Sequence, residues 1–168
     1  MLIGVISDTH MPARAQRLPE ACTALLAGCD VIVHAGDHCD AASLVRLRAI
    51  GPPVVAVHGN VDGDDLRRAL PETAEIDAGG VRIAVVHDAG RRDGRHARMR
   101  RRFPGARVVV FGHSHIPLVE RGPGDLLLVN PGSPTDKRSQ TCHTMALIRV
   151  DDGAVRAEVV TLDGPPEA

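Results

Sequence analysis

The stretch Leu2-Ile3-Gly4-Val5-Ile6-Ser7-Asp8-Thr9-His10 decides the fold. Its run of mainly branched apolar residues reads as a strand buried on both faces, and polar residues follow as soon as the run ends. Working outward, Leu18, Cys22, Leu25 and Leu26 fall at helical spacing, with Pro19 near the start and Gly28 at the stop, the punctuation of a helix. A second strand reads from Val31 to Val33. Asp40 then suits the N-cap of a helix carrying Leu44 and Leu47, which Gly51, Pro52 and Pro53 end before a third strand at Val54 to Val57. The opening is β-α-β-α-β, a pattern that implies parallel strands joined by right-handed crossovers.

The second half has a different texture. Thr73 to Asp77 and Val81 to Val86 flank an Ala78-Gly79-Gly80 turn, and Met145 to Val150 and Ala154 to Leu162 flank Asp151-Asp152-Gly153, so each pair reads as a hairpin. Another buried strand, Val108 to Phe111, lies between them. Parallel units followed by antiparallel hairpins imply an α/β protein with two mixed β-sheets face to face and helices outside. A chain of 168 residues suffices for one core that buries roughly 70% of the unfolded surface, so residues 1–163 are expected to form a single domain and 164–168 a flexible tail.

Composition excludes several classes of function. Apolar residues make up 43% and charged residues 24%, which is globular rather than disordered. Two Phe with no Trp or Tyr leave almost no aromatic platform for single-stranded nucleic acid. Twenty basic against twenty-one acidic side chains create no global field toward polyanions. Eight of the nineteen arginines fall between Arg91 and Arg107. On a helix from about Gly94, however, His96, Met99 and Phe103 share one face while Arg95, Arg98, Arg101 and Arg102 lie opposite, the pattern of a solvated amphipathic helix. That argues against nucleic-acid binding. Cys22, Cys29, Cys39 and Cys142 lack CxxC spacing and follow no secretory segment, and no apolar run approaches the roughly 18 residues of a membrane span. Reduced thiols in a cytoplasmic protein without a membrane partner are therefore expected.

Each strand ends in residues able to bind metal. The first runs into Asp8 and His10, the second into Gly36-Asp37, the third into Gly59-Asn60, the fourth into His87, and the fifth into Gly112-His113-Ser114-His115. Ligands of open α/β sheets bind beyond the carboxyl ends of the strands, so these loops should converge. The set holds two carboxylates, one amide oxygen and four imidazoles, a mixture that suits Mn, Fe, Zn, Co or Ni better than Ca or Mg. Seven donors are too many for one tetrahedral ion and fit two divalent ions sharing a carboxylate at roughly 3.5 to 4 Å separation. In extended backbone, His113 and His115 would point to the same side and serve both ions.

Asp8-x-His10, Gly36-Asp37, Gly59-Asn60, His87 and Gly112-His113-Ser114-His115, in that order, resemble the calcineurin-like metallophosphoesterase superfamily. The short length and the later Asn130-Pro131-Gly132-Ser133 make the chain most similar to its small YfcE-like phosphodiesterase branch. The resemblance implies a four-layer α-β-β-α sandwich with a dinuclear centre. Asp8, His10, Asp37 and His115 would hold one ion and Asp37, Asn60, His87 and His113 the other, with Asp37 as the bridge. It implies hydrolysis of a small or nucleotide-like phosphodiester by a hydroxide between the two ions, manganese being the foremost metal. A phosphomonoesterase with the same centre, or a non-catalytic protein-interaction scaffold, is the alternative; a homo-oligomer is compatible with either.

Two positions depart from the superfamily pattern. Val61 stands where a histidine often follows the Gly-Asn pair to protonate the leaving group, which leaves His58, His38 or solvent as the proton source. His58 is carried forward with His10, Asp37 and Asn60 as a catalytic candidate. His87 is followed by Asp88 where glycine is usual, and Asp88 could orient a ligand imidazole. Ser133 and its loop are expected to support a ligand loop or a phosphate.

Overall fold

The opening crossovers form as the spacing predicts. In the computed structural model, which describes residues 1–163, the chain runs β1 (Leu2–Ile6), α1 (Glu20–Ala27), β2 (Val31–His34), α2 (Ala41–Arg48) and β3 (Val54–Ala56). The flexible tail expected at 164–168 lies outside the described residues. Asp40 caps α2, its carboxylate accepting from the Ser43 amide at 2.7 Å. There follow α3 (Asp64–Ala69), β4 (Thr73–Ala78), β5 (Val81–Val86), α4 (Arg95–Arg102), β6 (Val108–Val110), β7 (Leu118–Arg121), β8 (Leu127–Asn130), β9 (Thr144–Asp151) and β10 (Ala154–Thr161).

Two five-stranded sheets result, in the orders β10-β9-β1-β2-β3 and β4-β5-β6-β8-β7. Each is mixed: β1, β2 and β3 are parallel while β9 is antiparallel to β1 and to β10, and β5, β6 and β8 are parallel while β4 and β7 are antiparallel to their neighbours. Between the sheets lies a layer of branched residues including Ile3, Val5, Val33, Ile83, Val85, Val108, Val110, Val129 and Ile148, nearly all fully buried. On the outer face of the first sheet, α1 and α2 pack Cys22, Leu26 and Leu47 on Ile6 and Ile32, and α3 adds Leu66 beside Leu44. On the second sheet, α4 packs Met99, with Phe103 at its end, on Val86, Val109 and Phe111. The layers are therefore α-β-β-α. Truncating a side chain as buried as Met99 costs about 2 to 5 kcal/mol.

Three elements were not expected. The six-residue α3 contributes Leu66 as its one buried side chain, too little for a visible apolar stripe. The edge strand β7 alternates half-buried and exposed residues, and β8 follows the turn at Pro123–Asp125 and ends at Asn130. A correction also applies to the arginine-rich helix. Its polar face is less solvated than expected, because Arg98 donates to the Ala89 carbonyl at 2.8 and 3.0 Å, Arg95 to the Gly90 carbonyl at 3.0 and 3.2 Å, and Arg100 to the Gly124 carbonyl at 2.7 Å. Among the described residues no helix is long and apolar enough to cross a membrane, and all four cysteines are free.

Candidate metal centre

The carboxyl ends of β1, β2, β3, β5 and β6 meet where the two sheets face each other. The His87 ring Nδ1 lies 2.8 Å from the Ala35 carbonyl after β2, and the His113 amide donates to Asp8 Oδ1 and Oδ2 at 3.1 and 3.0 Å. Both contacts join one sheet to the other. From there the side chains run on without a break. His115 Nε2 is 3.5 Å from Asp8 Oδ1 and 3.2 Å from His10 Nε2, which is 3.7 Å from Asp37 Oδ2. Asp37 Oδ1 is 3.4 Å from His87 Nε2, and Asn60 Oδ1 lies 2.9 Å from both His87 Nε2 and His113 Nδ1. Two groups, Asp8-His10-His115 and Asp8-Asp37-His87, each bring their donor atoms within 4.8 Å of one another.

The backbone that aims them is unusual. Asp8, His10, Asp37, His113 and His115 all have positive φ, between 45° and 68°, a conformation that costs a residue with a Cβ about 1 to 3 kcal/mol and collects at functional sites. The extended geometry expected for His113 and His115 is thereby overturned. They diverge, His115 toward Asp8 and His10, His113 toward Asn60, because each sits in a left-handed bend. Gly59 and Gly112 make the approach tight enough: a Cβ on Gly59 would strike the Asp37 carboxylate, and one on Gly112 would strike Ser7 Oγ and lie 2.6 Å from Asp8 Oδ2.

The protonation chemistry of this cluster fits divalent cations. His87 and His115 each direct Nδ1 at a backbone carbonyl, Ala35 at 2.8 Å and Asp136 at 2.5 Å. A carbonyl only accepts, so Nδ1 carries a proton in both rings, and an Nε2 that has given up its own proton turns a lone pair toward oxygen lone pairs of Asp8, Asp37 and Asn60. Such a face of acceptors needs a cation or protons. Burial pushes the Asp8 carboxyl up to about 7, against the opposing charge of His87. At Asp37 burial also raises the value, but the hydrogen bond and charge of His87 and the Val61 amide outweigh it and hold the carboxyl below its usual range. Burial lowers His87, yet the carboxylates of Asp37 and Asp8 prevail and raise it. Burial is the leading reason that His10 and His115 are held low, in the neutral form a metal ligand requires.

Several supporting residues were absent from the sequence reading. Asp62 is buried and accepts from the amides of Asp37 (3.1 Å), Cys39 (2.8 Å) and Gly59 (2.7 Å), which ties the second and third strand-end loops together. Asp136 supplies the carbonyl that orients His115. Ser133 does what was expected of its loop, donating to the Asp8 carbonyl at 2.8 Å, while Asn130 donates to the Gly112 carbonyl at 2.9 Å. Asp88 does not orient His87, whose Nδ1 is taken by Ala35; its carboxylate is exposed and accepts from the Gly90 amide at 2.6 Å. His38 is buried, with Nε2 3.2 Å from the Val57 carbonyl and its ring stacked on His34, so it presents no ring edge to a substrate. His58 stands outside the donor cluster. It is half-buried, and lines a cavity of about 350 Å³ together with Asn60, His87, Arg67 and Arg102.

A four-layer α-β-β-α sandwich with histidine and carboxylate clusters at the strand ends that could hold metal ions defines the class of architecture. The model of the calcineurin-like phosphoesterase superfamily domain matches residues 1–153, and the chain belongs to that superfamily. It is 35% identical over 98% of its length to a probable metallophosphoesterase of Methanothermobacter thermautotrophicus, 95% of which is covered. It is 40% identical over 88% of its length to a probable metallophosphoesterase of Methanocaldococcus jannaschii, 75% of which is covered. Among solved structures it resembles Chaetomium thermophilum Vps29, with a TM-score of 0.79 and 23% identity over 98% of this chain and 100% of that one, a likeness of fold. The two candidate clusters of Asp and His side chains are consistent with metal-dependent phosphoesterase activity.

Proposed function

We propose that the protein is a phosphodiesterase of the small YfcE-like branch, acting on a small or nucleotide-like diester with two divalent ions, manganese foremost. The observation that carries this reading is the unbroken chain of donors from Asp8 through His10, His115, Asp37, His87 and Asn60 to His113. Asp8, His10, Asp37 and His115 would hold one ion, and Asp37, Asn60, His87 and His113 the other. Bound ions of this kind lower the pKa of water and offset charge on phosphoryl oxygens. The chain's own residues do the rest. Ala35 and Asp136 hold the His87 and His115 rings in the tautomer that leaves Nε2 free. Asp62 fixes the Asp37 and Asn60 loops, and Arg67 adds a 2.8 Å bond to the Asn60 carbonyl.

Val61 cannot protonate a leaving group, and it is its amide that contributes, donating to Asp37 Oδ1 at 3.0 Å. His58 faces the cavity that opens from Asn60 and His87, and we assign it to the leaving-group oxygen as proton donor, a role worth about 10² to 10⁴ in rate. Val61 in place of a histidine after the Gly-Asn pair fits the YfcE-like branch, and with it the diester. The test is turnover of bis(p-nitrophenyl) phosphate and p-nitrophenyl phosphate by protein loaded in turn with Mn²⁺, Zn²⁺, Co²⁺ and Ni²⁺. Preference for the diester is expected. Metal bound with neither ester hydrolysed would remove the reading, and a monoester preference would replace the substrate class.

A further inference from the structure

Arg14 and Arg138 lie on two separate loops beside the cluster and take no part in the chemistry above. Nε of each faces one oxygen, Oδ2 of Asp136, at 3.6 and 4.0 Å. Two guanidinium groups on one carboxylate leave a positive charge uncompensated, and the side chains are 66% and 54% exposed. Their roots are fixed to the site. The Arg14 amide donates to the His10 carbonyl at 2.8 Å, and Asp136 is held by its amide on Ser133 Oγ at 2.8 Å and by its carbonyl on His115 Nδ1. Arg138 itself has a φ of 48°, a strained placement for a long side chain. Its Nε faces the side chain of the same Asp136 whose carbonyl orients the His115 ring. The His58 cavity opens from the other flank, at Asn60 and His87. A diester has two substituents, and the centre has two unlike sides for them.

We propose that Arg14 and Arg138 form a second anion subsite, so that the substrate is a phosphodiester carrying a further phosphate on the substituent that is not the leaving group. The proposal rests on the phosphodiesterase reading for the scissile bond but not for the anion. Exposed guanidinium pairs bind phosphate by charge-assisted, bidentate hydrogen bonds, discounted by solvent.

The test uses the p-nitrophenyl ester of thymidine 5′-phosphate with and without a 3′-phosphate, hydrolysed by the manganese-loaded protein. The 3′-phosphate is expected to raise kcat/KM by about tenfold. In Arg14→Ala/Arg138→Ala the ratio should fall to within about twofold of one. In Arg149→Ala/Arg156→Ala, an equal change of charge on the paired strands β9 and β10 at the Leu2 end of β1, it should stay. A second readout needs no turnover: calorimetric affinity for thymidine 3′,5′-bisphosphate relative to thymidine 5′-phosphate, with the same arginine dependence. A wild-type preference that is absent, or that survives loss of both arginines, overturns the subsite. If neither ester is hydrolysed while the calorimetric preference and its arginine dependence persist, the phosphodiesterase reading fails and the subsite stands.

Discussion

Asp8 is wholly buried, and burial pushes its carboxyl up to about 7 from 3.8. Because the folded value lies above the unfolded one, its contribution to the stability of metal-free protein is fully present below about pH 3.8 and is lost as pH rises through 7. A shift of that size corresponds to roughly 4 kcal/mol at most. In chelator-treated protein the melting temperature of the wild type should therefore fall between pH 5 and 8 relative to Asp8→Asn, with the variant the more stable at pH 8. Added divalent metal should reverse the order, since it binds the ionised carboxylate and releases the proton. Parallel melting curves across that range would rule out the buried-carboxylate account. Asp62 gives a second prediction at this scale. Asp62→Ala strands three amides, of Asp37, Cys39 and Gly59, at about 1 to 3 kcal/mol for each that stays buried. Metal affinity measured by calorimetry should drop by about 10- to 100-fold although Asp62 is not among the candidate ligands. Asp8 and Asp37 were legible because each lies within a few residues of the end of an apolar run. Asp62, in Asn60-Val61-Asp62-Gly63, looks like any turn aspartate, and its work is done through backbone amides that carry no side-chain signature.

The helix α4 shows how an element can be read correctly on one face and incompletely on the other. The spacing of His96, Met99 and Phe103 anticipates its packing against the second sheet, and Met99 and Phe103 are buried there. Which loop carbonyls its arginines reach depends on where the 88–93 and 122–126 segments pass, which no local pattern encodes. Arg98 alone donates to the carbonyls of Ala89, Arg91 and Asp93, and so closes the loop that follows His87. Arg98→Ala should cost about 1 to 2 kcal/mol, toward the low end because part of the network is exposed. Hydrogen exchange should quicken at residues 88–93 before it does in β5. Unchanged exchange there would mean that the loop is held by its own turn at Asp88 and Gly90. The elements missed by the sequence reading share a physical reason: α3 buries one side chain, and β7 is a four-residue edge strand that exposes Val119 and Arg121 and fully buries none of its residues.

At the scale of the molecule, the order of strand ends was legible because five apolar runs break into polar donors. The facing of the two sheets was inferred, and the contacts that lock it were not. Asp8, Asp37 and Asn60 follow strands of the first sheet, while His87, His113 and His115 follow strands of the second. A cation held between them is bound only when the sandwich is assembled, since the unfolded chain spreads these donors over more than a hundred residues. Metal should therefore stabilise the fold by mass action, by about 2.7 kcal/mol at a free concentration a hundredfold above the dissociation constant. For a chain of this length that corresponds to a rise in Tm of roughly 5 to 10 °C. The rise should continue with the logarithm of metal concentration and be reversed by chelator. In Asp37→Asn most of it should vanish, because the Asp37 carboxylate lies 3.7 Å from His10 Nε2 and 3.4 Å from His87 Nε2. A Tm indifferent to saturating metal would mean that the acceptor-rich junction between the sheets is satisfied by protons, and the metal centre would then have to be sought elsewhere.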